Sequence, residues 1–158
     1  MTTYTARPVP ADTLKELRTA DDAGRPTAPF TDPEGGAPLR CCLNRSRPGE
    51  RIALVAYAPL RRWAERTGAD PGAYDEQGPV FIHAEDCPGP SGDALPFTGS
   101  HRVLRRYSAD GRILGGRLVE SADGFEPGLA EAFADPRVAL VHVRAVEYGC
   151  FLYEVHRP

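Results

Sequence analysis

The residue types that most readily do chemistry crowd together at the end of a short apolar segment, residues 80–84. His83 and Glu85 lie there, and Cys87 follows two residues later, where a proline-rich loop begins. Histidine has an unperturbed pKa near neutrality, so His83 could transfer a proton with Glu85 or His101 as its partner. Because strand ends that open into loops often carry function, we predict a site centred on His83, with Glu85 and Cys87 as further catalytic candidates. The alternative is a histidine that only satisfies loop carbonyl groups.

The four cysteines offer a second kind of chemistry. A thiolate nucleophile needs a base within reach, and Cys87 lies four residues from His83. Cysteine also packs as a small buried hydrophobe, which is the competing interpretation. In an extended strand, neighbouring Cys41 and Cys42 point to opposite faces, so at most one of them would reach a given site. A reducing cytosol would keep all four, including Cys150, as free thiols.

Some of the same side chains are metal ligands. His83 and Cys87 form one pair, and Cys42 with His101 could complete a tetrahedral zinc set. Two separated pairs of closely spaced cysteines, the strong sequence sign of a zinc site, are missing. Cys41 and Cys42 cannot chelate from an extended backbone, so we predict no metal site. No phosphate loop or dinucleotide fingerprint is present, and we expect no bound cofactor.

Three arginines fall within or at the start of apolar segments, where an unpaired charge is costly. They are Arg40, Arg105 and Arg144. A guanidinium binds carboxylate or phosphate through two parallel hydrogen bonds. If these arginines converge near His83, together with His101, they form a pocket for a small anionic metabolite. The alternative is that they make structural ion pairs with glutamates on neighbouring strands.

Apolar runs and turn residues divide the chain into short elements. Strands are predicted at residues 39–43, 52–57, 80–84, 101–107, 113–119, 138–146 and 151–156, with a further short edge segment at 4–7. Helices are predicted from Asp12 or Thr13 onwards and over residues 60–67 and 129–134. Residues 39–43 and 52–57 are expected to pair, and the last four strands are expected to form two hairpins.

Strands mostly follow strands in this order, which predicts an α+β fold. We expect a mainly antiparallel sheet of six to seven short strands built from hairpins, with two or three short helices packed on it. The length predicts a single domain over residues 1–158. Within it, residues 1–38 supply a strand, a helix and a Pro/Gly-rich loop, and residues 39–158 supply the core.

Composition and charge exclude several classes of partner. The chain is 41% hydrophobic with a net charge of −3, so it lacks the strong positive field of a nucleic-acid-binding protein. No run of 18 apolar residues is present, and the N-terminus lacks the apolar core of a signal peptide. We therefore expect a cytoplasmic protein with neither a nucleic-acid nor a membrane partner.

Short segments occur in an order that resembles a known family. They are Arg40-Cys41-Cys42-Leu43, Pro48-Gly49-Glu50, Tyr57-Ala58-Pro59, Gly78-Pro79-Val80-Phe81-Ile82-His83, Cys87-Pro88, Leu104-Arg105-Arg106-Tyr107 and Val143-Arg144-Ala145. From about Arg40 to the C-terminus the chain resembles the DUF1203 family of small bacterial proteins, a domain of unknown function. The resemblance implies a bacterial, single-domain, soluble protein. It supplies no activity and no catalytic residue.

These observations lead to one functional hypothesis and one alternative. We predict one pocket around His83 that binds or acts on a small anionic metabolite, by acid–base chemistry if the site is catalytic. The sequence leaves open whether the protein is an enzyme. The alternative is a non-catalytic interaction module or homodimer that pairs through a sheet edge, with Phe151, Tyr153 and Val155 exposed on the final strand.

Overall fold

The computed structural model describes residues 4–158, which form eight strands and three helices. The strands are β1 (Ala6–Arg7), β2 (Phe30–Thr31), β3 (Arg51–Tyr57), β4 (Gly78–His83), β5 (Arg102–Ser108), β6 (Ile113–Val119), β7 (Val138–Ala145) and β8 (Phe151–His156). The helices are α1 (Ala11–Leu17), α2 (Pro59–Thr67) and α3 (Phe125–Ala134), with short 3₁₀ turns at Gly72–Tyr74 and Ala122–Gly124. The predicted α+β class is confirmed, with eight strands in place of six or seven. Within residues 4–158, no helix has both the length and the apolarity needed to cross a membrane.

The strands form two antiparallel sheets. One has five strands in the order β1-β8-β7-β5-β6, and the other has three in the order β2-β3-β4. The two predicted hairpins, β5–β6 and β7–β8, are both present in the larger sheet. The first turns through Gly111 and the second through Gly149, and both glycines have positive φ angles, a conformation that glycine adopts without steric cost.

Each sheet buries one face against a helix. Helix α3 packs Phe125, Leu129 and Phe133 onto the five-stranded sheet, where Leu104 and Val143 are fully buried. Helix α1 packs its own leucines, Leu14 and Leu17, against the three-stranded sheet, whose Ile52 and Ile82 are among its buried side chains. Apolar residues recur about every 3.6 residues in the helices and every two in the strands, so they lie on one face of each element. The faces that meet form two separate hydrophobic cores.

The predicted strand at residues 39–43 is wrong, because this segment is a tight turn. The Leu43 N–H donates to the Leu39 carbonyl at 3.0 Å, and Leu43 adopts a left-handed conformation with φ of 59°. Such a five-residue turn reverses the chain and cannot run along a sheet. Consequently β3 pairs with β2 and β4, not with residues 39–43.

The expectation of an exposed final strand is also wrong. Strand β8 lies between β1 and β7, and Phe151, Tyr153 and Val155 are all buried. The short β1 pairs with β8 through Ala6 and Arg7, which covers the edge of β8 at Glu154 and Val155.

Candidate functional site

The buried side chain of Arg40 anchors the turn that carries Cys41 and Cys42. This arginine is only 2% exposed, and its Nε and Nη2 atoms donate to the Phe151 carbonyl at 2.9 and 2.6 Å. Its Nη1 donates to the Pro38 carbonyl. Burial lowers the pKa of Arg40 to about 10, so the group stays charged at neutral pH. Arg40 therefore positions the turn, and backbone carbonyl groups already occupy the guanidinium donors that a ligand would need.

His83 ends β4 and lies directly against the two cysteines. Its backbone N–H donates to the Cys41 Sγ at 3.2 Å. Its Nδ1 lies 3.4 Å from the Cys41 Sγ and 3.9 Å from the Cys42 Sγ. Its Nε2 lies 2.8 Å from the Glu50 Oε2. Because a carboxylate accepts hydrogen bonds, we assign the ring proton to Nε2, which leaves the lone pair of Nδ1 facing the sulfurs.

Glu50 is fixed by a second contact. Its Oε1 accepts the Arg47 backbone N–H at 2.7 Å. This hydrogen bond, together with the one from His83, lowers the pKa of Glu50. The carboxylate is thus charged, oriented and aimed at the imidazole.

Cys87 completes a cluster with Cys41, Cys42 and His83. The three sulfurs and one ring nitrogen all lie within 4.8 Å of one another. Cys41 and Cys42 are buried, whereas His83 and Cys87 are partly exposed. A hydrogen bond between the first two thiols raises the pKa of Cys41 and lowers that of Cys42 to about 5. Of these two neighbouring thiols, Cys42 is the more acidic.

This cluster corrects two expectations from the sequence. Cys41 and Cys42 do not point to opposite faces of a strand, since the turn at residues 39–43 directs both sulfurs toward His83. The carboxylate beside His83 belongs to Glu50, because β4 ends at His83 and Glu85 is exposed in the loop that follows. In the antiparallel pair of β3 and β4, Ile52 lies opposite His83, which brings Glu50, two residues before Ile52, close to the histidine.

The other predicted site residues lie elsewhere. Arg105 and Arg144 share one carboxylate, that of Glu76, at 2.6 and 3.5 Å. His101 contacts the exposed Glu147 at 2.5 Å. All three predicted residues belong to the part of the chain that forms or adjoins the five-stranded sheet, whereas His83 is in the three-stranded sheet. Sequence patterns identified the strands but not the order in which they pack.

A cleft of about 500 Å³ opens beside the cluster. Cys42, His83 and Cys87 line it on one side, and Arg45 and Arg47 line it as well. The Arg45 guanidinium lies 5.4 Å from the centre of the Phe97 ring and donates to the Gly36 carbonyl at 3.0 Å. Both arginines sit outside the apolar segments, so no hydrophobic pattern in the sequence distinguishes them from other surface arginines.

The fold and the site together define an α+β protein in which a cysteine–histidine cluster adjoins a polar cleft. The chain belongs to the family described as "Protein of unknown function (DUF1203)", whose model matches residues 36–157. The resemblance read from the sequence is thereby confirmed. No curated protein and no solved structure matches the chain. The matched range includes the four cluster residues, but the family description states no activity.

Proposed function

We propose that the protein binds a small anionic molecule in the cleft beside Cys42, His83 and Cys87. The observation that supports this proposal most directly is the charge of the lining. Arg45 and Arg47 both face the cleft, and its one carboxylate, that of Glu50, is hydrogen-bonded to His83. Within residues 4–158, the Arg47 guanidinium has no hydrogen bond or ion pair of its own, so it is available to a ligand. Guanidinium groups on a cleft lining bind carboxylate and phosphate groups through paired hydrogen bonds.

The size and the neutral groups of the cleft fit the same class of ligand. Small-molecule sites have volumes of roughly 300–1,000 Å³, and this cleft lies within that range. Asn44 and Ser91 also line it and offer uncharged donors for hydroxyl or carbonyl oxygens. A metabolite with one phosphate or carboxylate group could place its charge on the arginines and its polar remainder on these side chains.

The proposal concerns binding and assigns no reaction. Nε2 of His83 is occupied by Glu50, and Nδ1 faces two thiols. A general acid or base must be within hydrogen-bond reach of the substrate. An acid–base role for His83 stays a prediction, as does a covalent role for Cys87. Arg105 and Arg144 are outside the proposal, since Glu76 already pairs with both.

Binding measured by calorimetry against phosphorylated and carboxylated metabolites tests the proposal. For the metabolite that binds best, Arg47→Gln should weaken affinity roughly 10- to 100-fold, because a charge-assisted hydrogen bond contributes about 1.5–3 kcal/mol. Arg45→Gln should act in the same direction. Arg112→Gln is the matched control, because Arg112 is exposed and pairs with Asp70 away from the cleft. The proposal fails if no anion binds, or if the three variants bind alike.

The alternative of association through the final strand lacks its apolar surface, because Phe151, Tyr153 and Val155 are buried. Among the described residues, β6 is the longer edge strand of the five-stranded sheet, and its Ile113 and Leu118 are exposed. Association through β6 stays a prediction.

A further inference from the structure

We infer that Cys41, Cys42, His83 and Cys87 bind one zinc ion in a tetrahedral site. The inference goes beyond the proposed function, since it requires no anion in the cleft. Three thiols and one imidazole nitrogen are the donor set of a Cys₃His zinc centre. Soft sulfur donors favour zinc over the oxygen-seeking magnesium and calcium ions. A half-buried cluster that gathers three of the chain's four cysteines around one histidine nitrogen thus matches zinc well.

The distances agree with this coordination. With zinc–sulfur bonds near 2.3 Å and zinc–nitrogen bonds near 2.0 Å, neighbouring ligand atoms in a tetrahedron lie roughly 3.5–3.8 Å apart. The Nδ1 atom of His83 lies 3.4 Å from the Cys41 sulfur and 3.9 Å from the Cys42 sulfur. All pairs among the four ligand atoms lie within 4.8 Å. Side-chain movements of about 1 Å therefore close the set around an ion.

The orientation of His83 supports the inference independently of those distances. A histidine that ligates zinc usually donates its other N–H to a carboxylate, which fixes the tautomer and raises the basicity of the ligating nitrogen. Glu50 accepts the Nε2 proton of His83 at 2.8 Å and is itself held by the Arg47 N–H at 2.7 Å. The chain thus presents the ligating nitrogen, its carboxylate and the group that positions the carboxylate.

A zinc ion here would join three segments, of which the first two already bond to each other through the Arg40 N–H and the Phe81 carbonyl. They are the turn at residues 39–43, the end of β4, and the loop of residues 84–101 that contains Cys87. No backbone-to-backbone hydrogen bond links residues 85–100 to the rest of residues 4–158. Four protein ligands complete the coordination, which makes the site structural and not catalytic. The ion would hold the loop that supplies Ser91 to the cleft.

Metal titration of the full chain tests the site. The reduced, metal-free protein is titrated with zinc against a competing chelator, and with cobalt(II) as a spectroscopic probe. We expect one ion per chain, together with the visible bands of tetrahedral cobalt and thiolate-to-cobalt charge-transfer absorption. Glu50→Gln should weaken zinc binding about 10- to 100-fold. Cys87→Ser, which removes a ligand, should weaken it further.

The controls separate this inference from a general loss of structure. Cys150→Ser should bind zinc like the wild type, since Cys150 lies outside the cluster. Arg47→Gln should also keep its zinc, so failure of anion binding and failure of the zinc site are distinguishable. Circular dichroism checks that each variant is folded. Absence of stoichiometric zinc, an octahedral cobalt spectrum, or equal affinity in Cys87→Ser and Cys150→Ser would each overturn the inference.

Discussion

Glu154 is a buried carboxylate whose charge should make the protein sensitive to acid. It lies on β8 and is only 7% exposed. Its Oε2 accepts a hydrogen bond from His142 Nε2 at 2.9 Å, and its Oε1 accepts one from His156 Nε2 at 3.2 Å. His142 is fully buried, and burial lowers its pKa, so its ring is neutral and donates at neutral pH. Replacing Glu154 by Gln keeps the size of the side chain and removes its charge.

The size of the effect follows from the pKa of Glu154. Burial acts to raise this pKa, but the hydrogen bonds from His142 and His156 outweigh it and lower the value from 4.5 to about 2. A carboxyl with a lowered pKa stabilises the fold fully above its unfolded pKa, here 4.5, and loses that contribution as the pH falls toward 2. The difference corresponds to about 3 kcal/mol at pH 7 and about 1 kcal/mol at pH 3.

Urea unfolding of the wild type and Glu154→Gln at several pH values between 7 and 3 measures this contribution. Because glutamine does not titrate, the wild type should lose unfolding free energy relative to the variant as the pH falls below 4.5, by up to about 2 kcal/mol at pH 3. Glu154 also raises the pKa of buried His142, so the substitution makes His142 harder to charge, which offsets part of this loss. Glu120→Gln is the matched control, since Glu120 is an exposed glutamate that follows β6. For that pair of proteins the unfolding free energies at pH 7 should differ by less than about 0.5 kcal/mol.

One result would refute this reasoning. If the difference in unfolding free energy between the wild type and Glu154→Gln changes by less than about 0.5 kcal/mol across the range, Glu154 is not held charged by its two histidines. If the wild type instead gains unfolding free energy relative to Glu154→Gln as the pH falls, burial dominates and the Glu154 carboxyl is protonated in the folded protein.

Two further substitutions test the packing. Leu129→Ala, in the buried face of α3, should destabilise the protein by about 2–5 kcal/mol. Leu118→Ala is the control and should cost less than about 1 kcal/mol, because the Leu118 side chain is 51% exposed. Equal losses of unfolding free energy in urea would contradict the assigned core. Gly35→Ala should destabilise by about 2–4 kcal/mol, because φ is +75° and the added Cβ would lie 2.8 Å from the Pro48 backbone nitrogen. Gly36→Ala has a similar φ and open space around it, so it should cost only about 1 kcal/mol; a Gly35→Ala protein as stable as this control would rule out the overlap.

The hairpins could be predicted because their information is local. Apolar runs of five to eight residues separated by Ala109-Asp110-Gly111 or Tyr148-Gly149 are enough to predict β5–β6 and β7–β8. The apolar face of α3 is likewise visible in the spacing of Leu129 and Phe133. The sequence also showed that His83 and Cys87 share a strand end and the loop after it.

The rest of the candidate site depends on contacts between distant parts of the chain. The segment Leu39-Arg40-Cys41-Cys42-Leu43 reads as a strand, but only Leu39 bridges β4, at Phe81, before the chain turns back. The Arg40 guanidinium anchors this turn by donating to the Phe151 carbonyl. A buried arginine must find such acceptors, and only the packed fold supplies them. These bonds turn both cysteines toward His83.

The arginines show the same contrast between what the local sequence reveals and what distant contacts decide. The sequence places Arg105 and Arg144 in apolar strands, and the pairing of β5 with β7 brings both to Glu76. Arg45 and Arg47 lie in a polar stretch without periodicity, and they reach the cleft because residues 42–50 enclose it together with His83 and the loop after β4. Sequence alone thus determined the local elements and the residue types available for chemistry. Tertiary structure decided which of them meet, because strand order and buried polar contacts are properties of the whole chain.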